Sequence, residues 1–167
     1  MKLTKENLVS YRACPKGLAW YEASGCPETV EETISLLLAS GEQEILSWSN
    51  WLLSKVLSRD GKFRYALFAA RDVLSDFEDK YPNDARPRNA IDAAEKFLTD
   101  PTDENKLVAE LAAELAGSAE YAAEFVEWSV DSAAYAAWAA TWSAEDKETI
   151  LEIIDYGLLL IKEAAPQ

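Results

Sequence analysis

The stretch KFRYALFAARDVLSDFEDKY, Lys62–Tyr81, decides the fold class. Leu67, Ala70, Val73, Leu74 and Phe77 recur at helical spacing and share a face, while Arg64, Arg71, Asp72 and Asp79 fall largely elsewhere. The segment reads as one amphipathic helix. The same periodicity runs on in both directions, and no alternating β-branched run bounded by turn pairs interrupts it. The expectation is an all-α chain.

Working outward toward the N-terminus, SRDG (Ser58–Gly61) reads as a break. Before it, a helix from about Glu42 to Leu57 carries Ile45, Trp48, Leu52 and Val56 along one face, with Trp51 beside them. Pro27 is placed for the first turn of PETVEETISLLLAS, which Gly41 ends, and Glu28, Glu31 and Glu32 suit the positive end of the helix dipole. Pro15 opens GLAWYEAS, which stops near Gly25, and a short helix covers Lys5–Arg12. Toward the C-terminus, PNDARP interrupts, residues 88–98 are helical, and Asp100 or Thr102 caps the next helix. From about Asp103 to Trp142 the chain is almost uniformly helix-forming, with Gly117–Ser118 as the one candidate kink. Ser143 then caps a last helix, Ala144–Glu163. These elements predict one compact domain over residues 1–167, a bundle of about seven or eight helices with long alanine-rich helices at the C-terminal end.

A hydrophobic content of 49% in 167 residues is enough to bury a core. Charge divides the chain. Residues 1–100 hold 13 Lys+Arg against 16 Asp+Glu, whereas residues 101–167 hold 3 against 14, a net of −11 out of −14. So acidic a region does not bind nucleic acid by neutralising phosphate. It suits a basic protein partner, or solubility alone. MKLTKENLVSYR lacks an apolar core of signal-peptide length, and the longest apolar runs are too short to span a bilayer. A cytoplasmic protein follows, with Cys14 and Cys26 as free thiols and Cys14 read as a small, partly buried one.

Much chemistry is unsupported. The chain has no histidine, which removes the commonest general base and metal ligand. It has no glycine-rich phosphate loop, and its two cysteines, twelve positions apart, lack partners for zinc. Glu31–Glu32, Asp76–Glu78–Asp79 and Glu145–Asp146 read as solvated acids. Glu124 and Glu127 have the spacing of a carboxylate metal motif but no second copy to face. The reading is a non-enzyme without cofactor or metal.

Two clusters remain as candidate sites. At about 100° per residue, Glu120, Glu124, Glu127 and Asp131 fall within about 60° of one another. Trp138 and Trp142 continue that acidic stripe, with Tyr135 close by, and small residues such as Ala119, Ala122 and Ala133 occupy the opposite side. A straight helix packed by its alanine face makes the stripe a partner surface, since tryptophan is enriched at binding hot spots. A break near Ser132 turns the tryptophans into the core instead. The second cluster is basic. Arg64 and Arg71, with Arg86 and Arg88, form either an anion site or structural ion pairs with acids such as Asp72, Asp76 and Asp79 or with the acidic C-terminal half; the pairing reading is the better one.

The segment KYPNDARPRNAIDAAEKFL, Lys80–Leu98, together with RYALFAA, CPKGLAWYEASG and the tryptophan-dotted alanine-rich tail, resembles the immunity proteins encoded beside bacterial polymorphic toxins, some of which occur in phage genomes. Tyr81, Pro82, Arg86, Pro87, Arg88 and Ala90 match the motif. The resemblance implies an all-helical domain that neutralises a partner by binding it. This tail is more acidic than the versions in which arginines alternate with the alanines, which favours a basic target or a DNA-like surface. The expected function is a protein inhibitor of a toxin or defence enzyme, bound through Glu120–Trp142. The alternatives are a phage anti-defence protein (anti-restriction or anti-CRISPR-type) that mimics DNA, and a phosphate- or nucleotide-binding module built on the arginines.

Overall fold

The computed structural model describes residues 1–40, 43–116 and 147–164. They form nine helices: α1 (Lys5–Ser10), α2 (Pro15–Ala23), α3 (Val30–Ser40), α4 (Gln43–Val56), α5 (Arg59–Asp72), α6 (Leu74–Lys80), α7 (Arg86–Thr99), α8 (Asp103–Ala116) and α9 (Lys147–Ala164). The only β pairing among these residues is a single antiparallel bridge between Lys2 and Thr29, held by Leu3 N–H to the Glu28 carbonyl and Val30 N–H to the Met1 carbonyl, each 2.9 Å. The protein is all-α. The continuation of α8, the alanine-rich helix to Trp142 and the Ser143 cap lie outside the described residues.

Side-chain caps set several helix starts, and they correct the sequence expectations. Thr4 and Asn7 form a reciprocal capping box on α1. Pro27 does not open α3. Its carbonyl instead accepts the Tyr21 hydroxyl at 2.9 Å, and Thr29 is the cap. Thr29 Oγ1 accepts from Glu32 N–H at 3.1 Å, while Glu32 Oε2 accepts from Glu28 and Thr29 N–H. That box satisfies donors a proline could not have served. The break expected at SRDG is present but confined to Leu57–Ser58, between α4 and α5. Ser58 caps α5, accepting from Gly61 N–H at 3.1 Å, and Arg59–Asp60–Gly61 is already the first turn. Thr102 caps α8 in the same way through Asn105 N–H.

The helix expected over Lys62–Tyr81 is two helices. At Val73 the backbone moves to φ −91°, ψ 0°, and its N–H to the Ala69 carbonyl stretches to 3.4 Å. No glycine or proline marks the site. A β-branched residue of modest helix propensity yields there, and Leu74 turns into a buried position. The buried face also differs from the expected one. Gly61, Tyr65, Ala66 and Ala69 are the deepest residues of α5, while Leu67, Ala70 and Phe77 are only partly buried. The reason is that α5 is covered twice, by α9 on one side and α7 on another. Phe68 stacks on Tyr156 of α9 with centroids 4.2 Å apart, and Phe63 meets Phe97 of α7 edge-on at 6.4 Å.

The core gathers residues from α1 to α5 and α9, centred on Val30, Ile34, Leu53, Tyr65, Ile153 and Ile154. α9 crosses α4 and α5 at Gly157, and α3 packs on α4. α7 and α8 form an antiparallel pair beside α5, joined by a short loop that Asn105 secures with hydrogen bonds to the Asp100 carbonyl and carboxylate.

α1 and α2 end in the same way with different residues. Each closes with a doubled hydrogen bond from the two residues after the cap: Arg12 N–H to Val9 and Ala13 N–H to Leu8, then Gly25 N–H to Glu22 and Cys26 N–H to Tyr21. This motif puts one residue in the left-handed region, where glycine is favoured. Gly25 fills that position after α2 with φ +82°, followed by Cys26 at φ +54°, whereas Arg12 fills it after α1 with φ +62°.

Candidate functional site

The seven residues of the acidic aromatic stripe, Glu120, Glu124, Glu127, Asp131, Tyr135, Trp138 and Trp142, lie outside the described residues. The surface that leads into them is described. On α8, Asp103 and Glu104 are exposed, and Leu107, Val108 and Leu111 retain 55%, 45% and 50% of their accessible surface. At spacings of three and four residues these acids and apolar side chains share one side of the helix. On α9, Glu148, Glu152, Asp155 and Glu163 are exposed as well. The described acids of the C-terminal region therefore face solvent, with an apolar strip among them on α8.

The four arginines are each engaged by acids of the chain rather than turned to one shared site. Arg64 of α5 bonds Glu163 of α9 at 2.9 Å. Arg71 bridges α5 to α7 through Asp92 and Glu95, at 2.9 and 2.8 Å. Arg88 grips Glu78 of α6 through two nitrogens, at 2.6 and 2.5 Å. Arg86 is local, donating from Nε and a terminal nitrogen to Asp84, whose carboxylate also accepts the Arg86 backbone N–H. Arg64 thus takes an acid of the C-terminal half, as one of the expected pairings has it, whereas Arg71, Arg88 and Arg86 are held by Asp92 and Glu95, by Glu78 and by Asp84. Each guanidinium is occupied by a carboxylate of its own chain, an arrangement that joins neighbouring helices and leaves little for a phosphate.

These pairs depress the carboxylates. The Arg86 hydrogen bonds hold Asp84 at about 2, and Arg88 lowers Glu78. A depressed carboxylate stabilises the fold fully above its unfolded value and loses that contribution as pH falls through its folded value. For Asp84 the window runs from the ordinary 3.8 down to about 2. Urea unfolding at pH 4, 3 and 2 is expected to show falling stability, and Asp84→Asn is expected to flatten part of that slope. An unchanged slope would show that the corner pair is not formed in solution.

Among the described residues, no cluster of three His, Cys, Asp or Glu side chains is positioned to hold a metal ion, and no helix is long and apolar enough to cross a membrane. Cys14 and Cys26 are both free and exposed, so the partly buried position expected of Cys14 is corrected. Cys14 has a structural task, since its sulfur caps α2 by accepting from Gly17 N–H at 3.3 Å.

One site escaped the sequence reading. Trp48, on the expected apolar face of α4, and Trp51, beside it, are both only partly buried, and with Trp20 they line a cleft of ≈ 250 Å³. The deeper core positions of α4 are Ser49, Asn50, Leu52 and Leu53. Two tryptophans three residues apart, plus the Trp20–Tyr21 doublet, were the available signal. No family model, curated protein or solved structure matches the chain.

Proposed function

We propose that this chain is a non-catalytic protein inhibitor, of the kind its resemblance to immunity proteins implies, which binds and neutralises a basic toxin or defence enzyme. The observation that carries the reading is the solvent-facing acidic and apolar side of α8, within the region that holds −11 of the net charge. Acidic groups speed encounter with a basic partner, and a few desolvated apolar anchors supply most of the affinity. The stripe from Glu120 to Trp142 follows α8 in sequence and extends the same chemistry.

The expected result is that the tagged protein captures a basic partner encoded in its own operon or present in its host. Changing Glu124, Glu127 and Asp131 together to Lys should weaken that complex at least tenfold, as should Leu107→Glu with Leu111→Glu, without loss of helicity by circular dichroism. Raising salt should slow association. Retained affinity in both variants would overturn the reading. Competition by duplex DNA for the same partner would assign the surface to DNA mimicry.

A further inference from the structure

We propose that the cleft between α2 and α4 binds a small planar aromatic carboxylate, its ring held by Trp20, Trp48 and Trp51 and its carboxylate paired with Arg12. The site is separate from the acidic face of α8, and the inference does not depend on the inhibitor reading.

The walls define the ring. Trp20 and Trp48 meet edge-to-face, centroids 6.3 Å apart and planes at 69°, and Trp51 also lines the space. Beneath them lie buried Leu37 and Leu52. A volume of ≈ 250 Å³ is below the usual range for drug-sized ligands and suits one or two fused rings. Aromatic walls favour aromatic guests through offset and edge-on contacts.

The polar lining defines the charge. The Tyr21 hydroxyl donates to the Pro27 carbonyl, Thr33 Oγ1 donates to the Thr29 carbonyl, and Cys14 Sγ accepts from Gly17 N–H. These groups are committed to the fold. Among the described residues that line the cleft, Arg12 alone is charged, and it is exposed. A guanidinium at an aromatic cleft is matched to a carboxylate in a two-point bond.

The backbone at Arg12 supports the assignment. The left-handed position after α1 is one that local stability gives to glycine, as Gly25 shows after α2. A long cationic side chain is held there at a conformational cost, and residues so held gather at ligand sites.

Calorimetric titration of the full chain with indole-3-acetate, and with indole-3-acetamide as its uncharged counterpart, tests the proposal. Saturable binding of the acid with Kd below about 1 mM is expected, with the amide at least tenfold weaker. Arg12→Gly should weaken the acid at least tenfold, leave the amide unchanged and raise the Tm, so that lost binding cannot be ascribed to unfolding. Trp48→Leu should weaken both ligands. Absence of saturable binding, equal affinity for acid and amide, unchanged acid binding by Arg12→Gly, or unchanged binding of both by Trp48→Leu would each overturn it.

Discussion

Gly157→Ala is expected to lower the stability of this protein by about 2 kcal/mol, and Gly157→Val by more. In the middle of a helix an alanine normally gains about 1 kcal/mol over glycine, so the sign itself is informative. Here an added Cβ would stand 2.6 Å from Leu53 Cδ1 and 2.8 Å from Tyr65 Cε2. Neither neighbour can withdraw, because Leu53 is 0% exposed and Tyr65 1% exposed, and a phenol ring has no alternative rotamer in a filled core. The strain therefore passes to the helix crossing of α9 against α4 and α5. A fall in Tm of about 4–8 °C corresponds to that loss in a chain of this length. Urea titration with an unchanged m-value would assign it to the native state. Equal or raised stability would mean that α9 does not cross so closely.

The second large effect lies on the same axis. Tyr65 is fully buried, and its hydroxyl donates to Asn50 Oδ1, while Asn50 Nδ2 and Ser49 Oγ are buried without a hydrogen-bond partner. Burial also pushes the Tyr65 phenol far up, so it remains a neutral donor throughout the stable pH range. Tyr65→Phe should cost about 2 kcal/mol, because it strands a carboxamide that is already half satisfied. Replacing Asn50 as well should reverse much of that cost. The double variant Asn50→Leu with Tyr65→Phe removes both polar groups and should return to within about 1 kcal/mol of the parent, since an apolar pair of similar shape has nothing left to desolvate. Additive losses in the two single variants would show that the Tyr65–Asn50 bond contributes nothing specific.

Asn50 also illustrates the limit of reading α4 from periodicity. The apolar face through Trp48, Leu52 and Val56 was legible, but a face counted by hydrophobicity cannot include Ser49, Asn50 and Ser54, which the structure buries. Their places depend on Tyr65 and on α9, which arrive from elsewhere in the chain. The same holds for α5. Its amphipathic pattern predicted one buried face, whereas cover from α7 and α9 on two sides makes the deepest residues Gly61, Tyr65, Ala66 and Ala69.

Local chemistry determined a good deal by itself. Helical spacing with no strand pattern yielded the all-α class, and Pro15, Pro82, Pro87 and Gly25 mark real helix ends. The distribution of charge, the missing histidine and the motif around YPNDARPRNAI belong to the sequence alone. Tertiary structure decided which carboxylate each arginine holds, because partners such as Arg64 and Glu163 are 99 residues apart and meet only when α5 and α9 pack. It also decided that Trp20 joins Trp48 and Trp51 at one cleft with Arg12. A one-dimensional pattern records which face of a helix is apolar. Which neighbour covers that face, and which side chains are left at its edge, are set by the packing of helices distant in sequence.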